Sequence, residues 1–499
     1  MGVLERGEKE EDEYKVPLLE SLYPDCPGCK CAYLTGKDAG PPFKLLSMVM
    51  LVDLCNGLPI SSLYPFIYFM VDDFGIAAKK EDIGYYAGAV GSAFMVGRLV
   101  SSVPWGIFAD KYGRKTVFYL GLITTIIFQM IFGTTKNFWV AISARFLLGS
   151  LNGMTGPLKA YASEVCNEQN QAWGLSTIST SWSLGLILGP AMGGYFARPA
   201  ANFPSIVSQD GFLAQYPYIL PSIIQSAFAL VGFVVVWNLP ETVHKHEKID
   251  SSFDEYQRKP SESAEPKESL LSNWALMASV TVYSVWSCVE FSFTEIFSLW
   301  SVSPRASDGL GLPTSAAGIV LAVSGFSVFV FNMTIFPIIA HYLGPILVTR
   351  VPAMITVVLL ALFPFVSRLD GTLEWIALNI LALTRTVLST AVLTGTFMLI
   401  NNSVPTNQRG AANGISITFV ALARTVGPAF AGAVFAWSQS RPHATFLPGV
   451  QLVFAALELC VVVAIITTFP PFLPKTTNRP YYITHPQEEP DPYKDVESH

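Results

Sequence analysis

A chain of 499 residues that is 51% hydrophobic and only 14% charged, with a mean hydropathy of +0.43, carries more apolar surface than a soluble domain can bury. Its formal net charge of −6 gathers at the ends, in the run from Glu8 to Glu13 and in the tail from Gln487 to His499, so no nucleic-acid partner is expected. Composition therefore excludes a soluble enzyme or nucleic-acid binder and points to an all-α polytopic membrane protein.

The first 44 residues read as a cytosolic tail without a cleavable signal peptide. Within it, Cys26-Pro27-Gly28-Cys29 sets two thiols at the spacing of half a zinc knuckle, and Cys31 follows. A closed zinc site needs four ligands, and His244 and His246 of the central loop supply a candidate second pair. Reduced surface thiols, lipid attachment and transient metal contact compete with that reading. No disulfide framework and no cofactor are expected.

Apolar length and breaker residues predict six spans near 45–70, 83–107, 116–134, 139–159, 172–197 and 217–239. A second six follow near 273–300, 314–340, 346–367, 373–399, 411–437 and 447–470. The predicted organisation is a tail (1–44), a six-helix bundle (45–239), a cytosolic loop (240–272), a second six-helix bundle (273–470) and a cytosolic tail (471–499). With both tails inside, the inner loops hold eleven Lys and Arg residues against seven outside, Lys159 being counted among the eleven.

Ionisable residues inside the membrane are costly, so each is a functional candidate. Asp53 lies about 12 Å into the first span, and Asn56, three residues on, sits roughly 60° away on the same face. Pro59 then offers a kink. In the seventh span Glu290 and Glu295 stand about 140° apart, so both cannot point equally into one cavity, and Glu290 is the favoured proton carrier with Asp53. A carboxylate in a partly dry cavity can take up and release a proton as the cavity opens to each side. Arg98, Arg145, Arg385 and Arg424 could hold such carboxylates ionised or bind an anionic solute. Of these, Arg145 and Arg385, with Asn56 and Glu295, are predicted to contact substrate. Glu374 and Glu458 read as structural.

Between the second and third spans stands the run Gly106-Ile107-Phe108-Ala109-Asp110-Lys111-Tyr112-Gly113-Arg114-Lys115. Here Gly106 is expected to allow close helix approach and Gly113 a tight turn, while Asp110, Arg114 and Lys115 make charge-assisted contacts to helix ends and so lock a gate. In the fifth span Gly185, Gly189 and Gly193 form a flat packing face, and Pro190 lets the helix bend. The halves repeat: an offset of 231 lays Gly344 on Gly113, and one of 238 lays Gly427, Pro428 and Gly432 on Gly189, Pro190 and Gly194.

The Gly106–Lys115 run resembles the signature loop of the major facilitator superfamily, and Gly185 to Gly194 with Pro240-Glu241-Thr242 resembles the motifs of its antiporters. Cys26 to Cys29, Leu58 to Phe66, Lys159 to Glu164 and Pro240 to His246 narrow this, and the chain is similar to the plant zinc-induced facilitator-like family. That resemblance implies the twelve-helix facilitator fold in two six-helix bundles, in the vacuolar or plasma membrane. It implies proton-coupled antiport of a small organic solute such as nicotianamine or a phytosiderophore, with a role in zinc homeostasis. The partners are then that solute, protons and the lipid bilayer, with transient zinc at the cytosolic Cys and His residues. In the second loop His341 and Pro345 replace Asp110 and Arg114, so that gate cannot use the same charge pair. The rivals are a multidrug, sugar, potassium or auxin-related facilitator of the same fold, and a non-transporting zinc-sensing receptor. No phosphate loop or nucleophile elbow suggests an enzyme.

Overall fold

The computed structural model describes residues 26–28, 31, 42–166, 171–243, 270–404, 409–441, 444 and 446–473. All regular structure among them is helical. The amino-terminal half comprises α1 (Phe43–Ser61), α2 (Ile67–Asp73), α3 (Ile83–Tyr112), α4 (Arg114–Thr134), α5 (Phe138–Leu151), α6 (Thr155–Glu164), α7 (Gln171–Phe196) and α8 (Ile219–Asn238). The carboxyl-terminal half comprises α9 (Trp274–Val302), α10 (Thr314–Val366), α11 (Gly371–Asn402), α12 (Arg409–Gln439) and α13 (Val450–Ile466). Among the described residues, eight segments are long and apolar enough to cross a bilayer by length and composition alone, and the pair Lys80–Ser102 and Pro104–Tyr112, bent by 53°, makes a ninth if taken as one span.

Two predicted spans are each made of two helices. The first is interrupted between α1 and α2, where Pro59 and Pro65 remove backbone donors, and the fourth is interrupted at 152–154 between α5 and α6. Conversely α10 contains two spans, joined by one residue outside helical geometry, Gly344, at φ 69° and ψ 166°. Gly113, 231 residues earlier, joins α3 to α4 at φ 109° and ψ 150°. Both turns use a left-handed φ that L side chains rarely adopt, so the repeat read from sequence is a repeat of backbone geometry.

Within the halves, α1 packs on α7, α3 on α5 and α4 on α8, while α9 packs on α12 and α10 on α11 and α13. Between halves, α7 packs on α10 and α3 on α12. We call the face bearing Gly113 and Glu164 the loop face and the other the far face. Near the far face the two seams run almost backbone to backbone. A methyl group added to Gly318 would lie 2.6 Å from the Pro190 carbonyl, and one added to Gly84 would lie 2.7 Å from that of Gly432. Asn202 Nδ2 also donates to Thr314 Oγ1 at 3.4 Å, and Ser298 donates to the Tyr64 carbonyl.

Candidate translocation site

Helix α1 carries the first acidic group. Asp53 is buried, its Oδ1 accepts from Asn56 Nδ2 at 3.4 Å, and Ser181 of α7 donates nearby to the Met50 carbonyl of α1 at 2.9 Å. Asn56 in turn donates to Thr155 Oγ1 at 3.2 Å and accepts from Arg98 Nη2 at 2.9 Å. Lys159 of α6 and Arg98 of α3 both interact electrostatically with Asp53, and Arg424 of α12 interacts with Arg98 and Lys159. Arg424 is held by the faces of Phe291 (4.9 Å) and Trp182 (5.8 Å), one from each half. The result is a carboxylate with two cations of its own half, and a third cation, Arg424, from the other half beside them.

Lys159 corrects the sequence reading, which counted it as a loop cation. The helix runs on to Glu164, because a lysine one turn from a membrane surface is compatible with helical backbone and its head can reach inward. The Thr155–Lys159 spacing of one helical turn was the available signal.

Arg145, 2% exposed, does not bind a carboxylate directly. Its Nη1 donates at 2.8 Å to the carbonyl of Pro59, in the last turn of α1, where helical carbonyls lack amide partners and the dipole favours a cation. The Phe94 and Phe132 rings flank its guanidinium at 5.2 and 5.5 Å. Arg385, 1% exposed, instead pairs with Glu290 at 2.8 Å and stacks on Phe293 at 3.8 Å. Ser389 donates to Glu290 and accepts from Trp286 Nε1 at 2.9 Å.

Glu295 occupies a different place from Glu290. It is 0% exposed, both carboxyl oxygens lack hydrogen-bond partners, and it faces Gly91 of α3 and Pro428 of α12 at the seam between halves, within electrostatic reach of Arg145. The two acids thus diverge around α9 as their angular separation requires. Glu374 pairs with Arg305 at 2.5 Å at the far face.

On the loop face Arg114 pairs with Asp110 at 2.6 Å and with Glu164 at 3.0 Å. Glu241 accepts from the amides of Arg114 (2.9 Å) and Lys115 (3.1 Å), capping the first turn of α4, and Lys115 Nζ donates to the Trp237 carbonyl at 3.4 Å. Every partner belongs to the amino-terminal half or, for Glu241, to the chain just past its last helix. Gly113 is required both by its φ and by Glu241, whose carboxylate would lie 2.5 Å from an added methyl group. Gly106 overturns its expectation: an added methyl meets nothing within 4 Å, so no helix approaches there.

In α7, Gly189 and Gly193 seat Ser61 and Ser62 at the end of α1, and Ser61 Oγ donates to the Gly185 carbonyl at 2.8 Å. Gly185 itself has only ordinary contacts, with Leu54 Cδ1 at 3.9 Å from an added methyl. Pro190 presents its carbonyl to α10. Of the zinc candidates, Cys26 is buried, while Cys29, His244 and His246 lie outside the described residues. No group of three or more metal-ligating side chains occurs among the described residues.

The sequence profile of the Major Facilitator Superfamily matches residues 49–428. The chain belongs to this superfamily. It is 44% identical to zinc induced facilitator-like 1 of Arabidopsis thaliana, over 93% of this chain and 99% of the relative. It is likewise 44% identical to zinc induced facilitator 1 of the same plant, over 94% and 99%. Among solved superfamily structures, the D-xylose-proton symporter superposes with a TM-score of 0.69 at 13% identity, covering 88% of this chain and 100% of that one. A bacterial homologue of the human lysosomal transporter Spinster, inward-facing and occupied, gives 0.64 at 15% identity, covering 86% and 97%. The fold is that of a twelve-helix superfamily transporter, and the chain is an integral multi-pass membrane protein and not an enzyme.

Proposed function

We propose that this transporter is a proton-coupled antiporter that moves an aminocarboxylate metal chelator, of the nicotianamine or phytosiderophore type, out of the cytosol and into the vacuole or across the plasma membrane, and so contributes to zinc or iron homeostasis. The observation that carries the reading is the chain of charges from both halves in which Arg98 and Lys159 interact with Asp53, and Arg424 with both of those cations. Three cations and one carboxylate where the halves meet suit a solute with more carboxylates than ammonium groups. The names of the two plant relatives favour a link to zinc.

In this reading the loop face is cytosolic, and the closed far-face seams belong to the inward-open stage of alternating access. Arg98, Lys159 and Arg424 bind substrate carboxylates, and Asp53 exchanges its cationic partners as substrate enters and leaves. Glu295 takes over the proton role first given to Glu290. A bare carboxylate in a dry seam costs several kcal/mol, so Glu295 enters the seam carrying its proton and releases it when water reaches that level. Glu290, tied to Arg385, keeps carboxyl-terminal helices α9 and α11 in register. Cys26, Cys29, His244 and His246 would offer transient zinc contact at the cytosolic surface.

Purified protein in proteoliposomes, loaded with nicotianamine and given an inward or outward pH gradient, tests this. Gradient-driven flux is expected, at least tenfold weaker in Asp53→Asn and insensitive to pH in Glu295→Gln. Flux of sugars or lipophilic cations without chelator flux would favour the same-fold rivals. Zinc binding with no flux of any solute would favour the receptor.

A further inference from the structure

Away from the passage between the halves, the far face of the amino-terminal half holds a cavity of about 470 Å³. It is walled by the end of α2, the α4–α5 loop and the long α7–α8 connection. Its volume is in the range of small-molecule sites.

Three charged side chains line it: Asp73, Lys136 and Arg198. None forms an ion pair among the described residues, although charges of both signs face one void. This contrasts with the loop face, where Arg114 has two carboxylates. Each charge is nevertheless positioned. The Lys136 ammonium sits 4.7 Å from the Tyr216 ring and the Arg198 guanidinium 4.9 Å from that of Phe69. Tyr218 donates its hydroxyl to Asp73 Oδ2. Arg198 adopts a left-handed φ of 51°, rare and strained for a side-chain-bearing residue, with its N–H donating to the Pro217 carbonyl at 2.7 Å. Strain of this kind persists where surrounding structure fixes it, and it clusters at ligand sites.

Opposite charges that share a cavity without meeting are bridged best by a ligand with both signs. We propose that this cavity binds a small zwitterion, its acid group between Lys136 and Arg198 and its ammonium at Asp73. Two sources carry that chemistry: a free amino acid on the far side, and the headgroup of an ethanolamine phospholipid in the far leaflet. The exposed Ile206 (81%) and Phe212 (59%) on the α7–α8 connection, and Trp139 (67%) at the start of α5, stand on the segments that wall the cavity, as at a lipid boundary.

The test uses full-length protein in detergent, titrated calorimetrically with glycine and O-phosphoethanolamine, and native mass spectrometry of protein from nanodiscs containing phosphatidylethanolamine. Binding is expected in at least one arm, weakened at least tenfold by Lys136→Gln and by Arg198→Gln. Asp73→Asn is expected to weaken zwitterion binding while sparing the acid-only probe glycerol phosphate. Response to the soluble probes alone assigns a free solute, and retained phospholipid alone assigns the headgroup. Absence of binding in both arms overturns the proposal. So does binding unchanged in the exposed-site variant Lys136→Gln, or glycerol phosphate bound as tightly as O-phosphoethanolamine by the unmodified protein. These outcomes leave the central chelator reading untouched, since no residue is shared.

Discussion

Arg385 meets Glu290 at 2.8 Å in the carboxyl-terminal half, and the residue 231 positions before Glu290 is Pro59, whose carbonyl receives Arg145 at 2.8 Å. An arginine thus reaches the same level of the leading helix in each half. In one half it finds a side-chain anion, and in the other the negative end of a broken helix.

Removing one side of the carboxyl-terminal pair strands the other. Glu290→Gln leaves an almost fully buried guanidinium without its carboxylate, and Arg385→Ala leaves the acid with Ser389. Because Glu290 keeps 21% side-chain exposure, the loss is expected at about 1–3 kcal/mol for each, below that of a fully buried pair. The double variant should cost less than the summed singles, by a coupling of about 1–2 kcal/mol in thermal unfolding. Additive losses would show that the pair does not hold α9 to α11.

The two glycines of the signature loop should part company. Gly113→Ala forces a methyl into the Glu241 carboxylate at a φ of 109° and is expected to cost about 1–3 kcal/mol and to lower flux. Gly106→Ala meets open space inside a helix and is expected to be neutral or to gain about 0.5–1 kcal/mol. Melting temperatures of both variants in the same detergent decide this.

Cys31 lies in the tail, yet it packs with Leu46, Tyr161 and Leu158 on the loop face. Burial, then the charges of Glu164 and Glu241, raise its thiol from 9.0 to about 11. A raised folded-state value favours the neutral thiol, so its contribution is full below about 9 and is lost as pH climbs through about 11. Two results are expected: slow maleimide labelling of Cys31 at pH 8 relative to the unfolded chain, and release of the tail segment above pH 11. Labelling as fast as in the unfolded chain would remove Cys31 from this packing.

Closing the far face depends on Gly194 and Gly432, which abut Gly318 and Gly88 with no space for a side chain. Gly194→Val or Gly432→Val should hold the far face open. Reagents applied from that side would then label cysteines introduced near Tyr64 several-fold faster, while transport flux falls. Unchanged labelling would place the seal elsewhere.

Much of this architecture was written in apolar length and punctuation. Span limits agree to within a few residues at most ends, and the repeat pairs the turn glycines Gly113 and Gly344, which share a positive φ. Where charge entered, pattern alone misled. Helix α3 runs through Asp110 and Lys111 to Tyr112, since polar residues at a membrane surface remain helical when their heads reach solvent. Lys159 reads by the same token as an inner-loop cation, yet it lies within α6. Glu295 was legible as an intramembrane acid, but its position against Gly91 and Pro428 depends on how the halves meet, which no single-helix angle contains. The broken end of α1 made Arg145 a partner of main chain, and hydropathy carries no trace of that.

Surfaces made of glycine and main-chain carbonyls have few side chains to interlock, so α7 against α10 and α3 against α12 can roll like smooth cylinders, with few rotamer changes to slow them. Since these two bearings are copies related by the internal duplication, one rigid rotation relieves both together. A conformational change of that type would be abrupt, and the barrier to it would reside in the wet ends of the molecule.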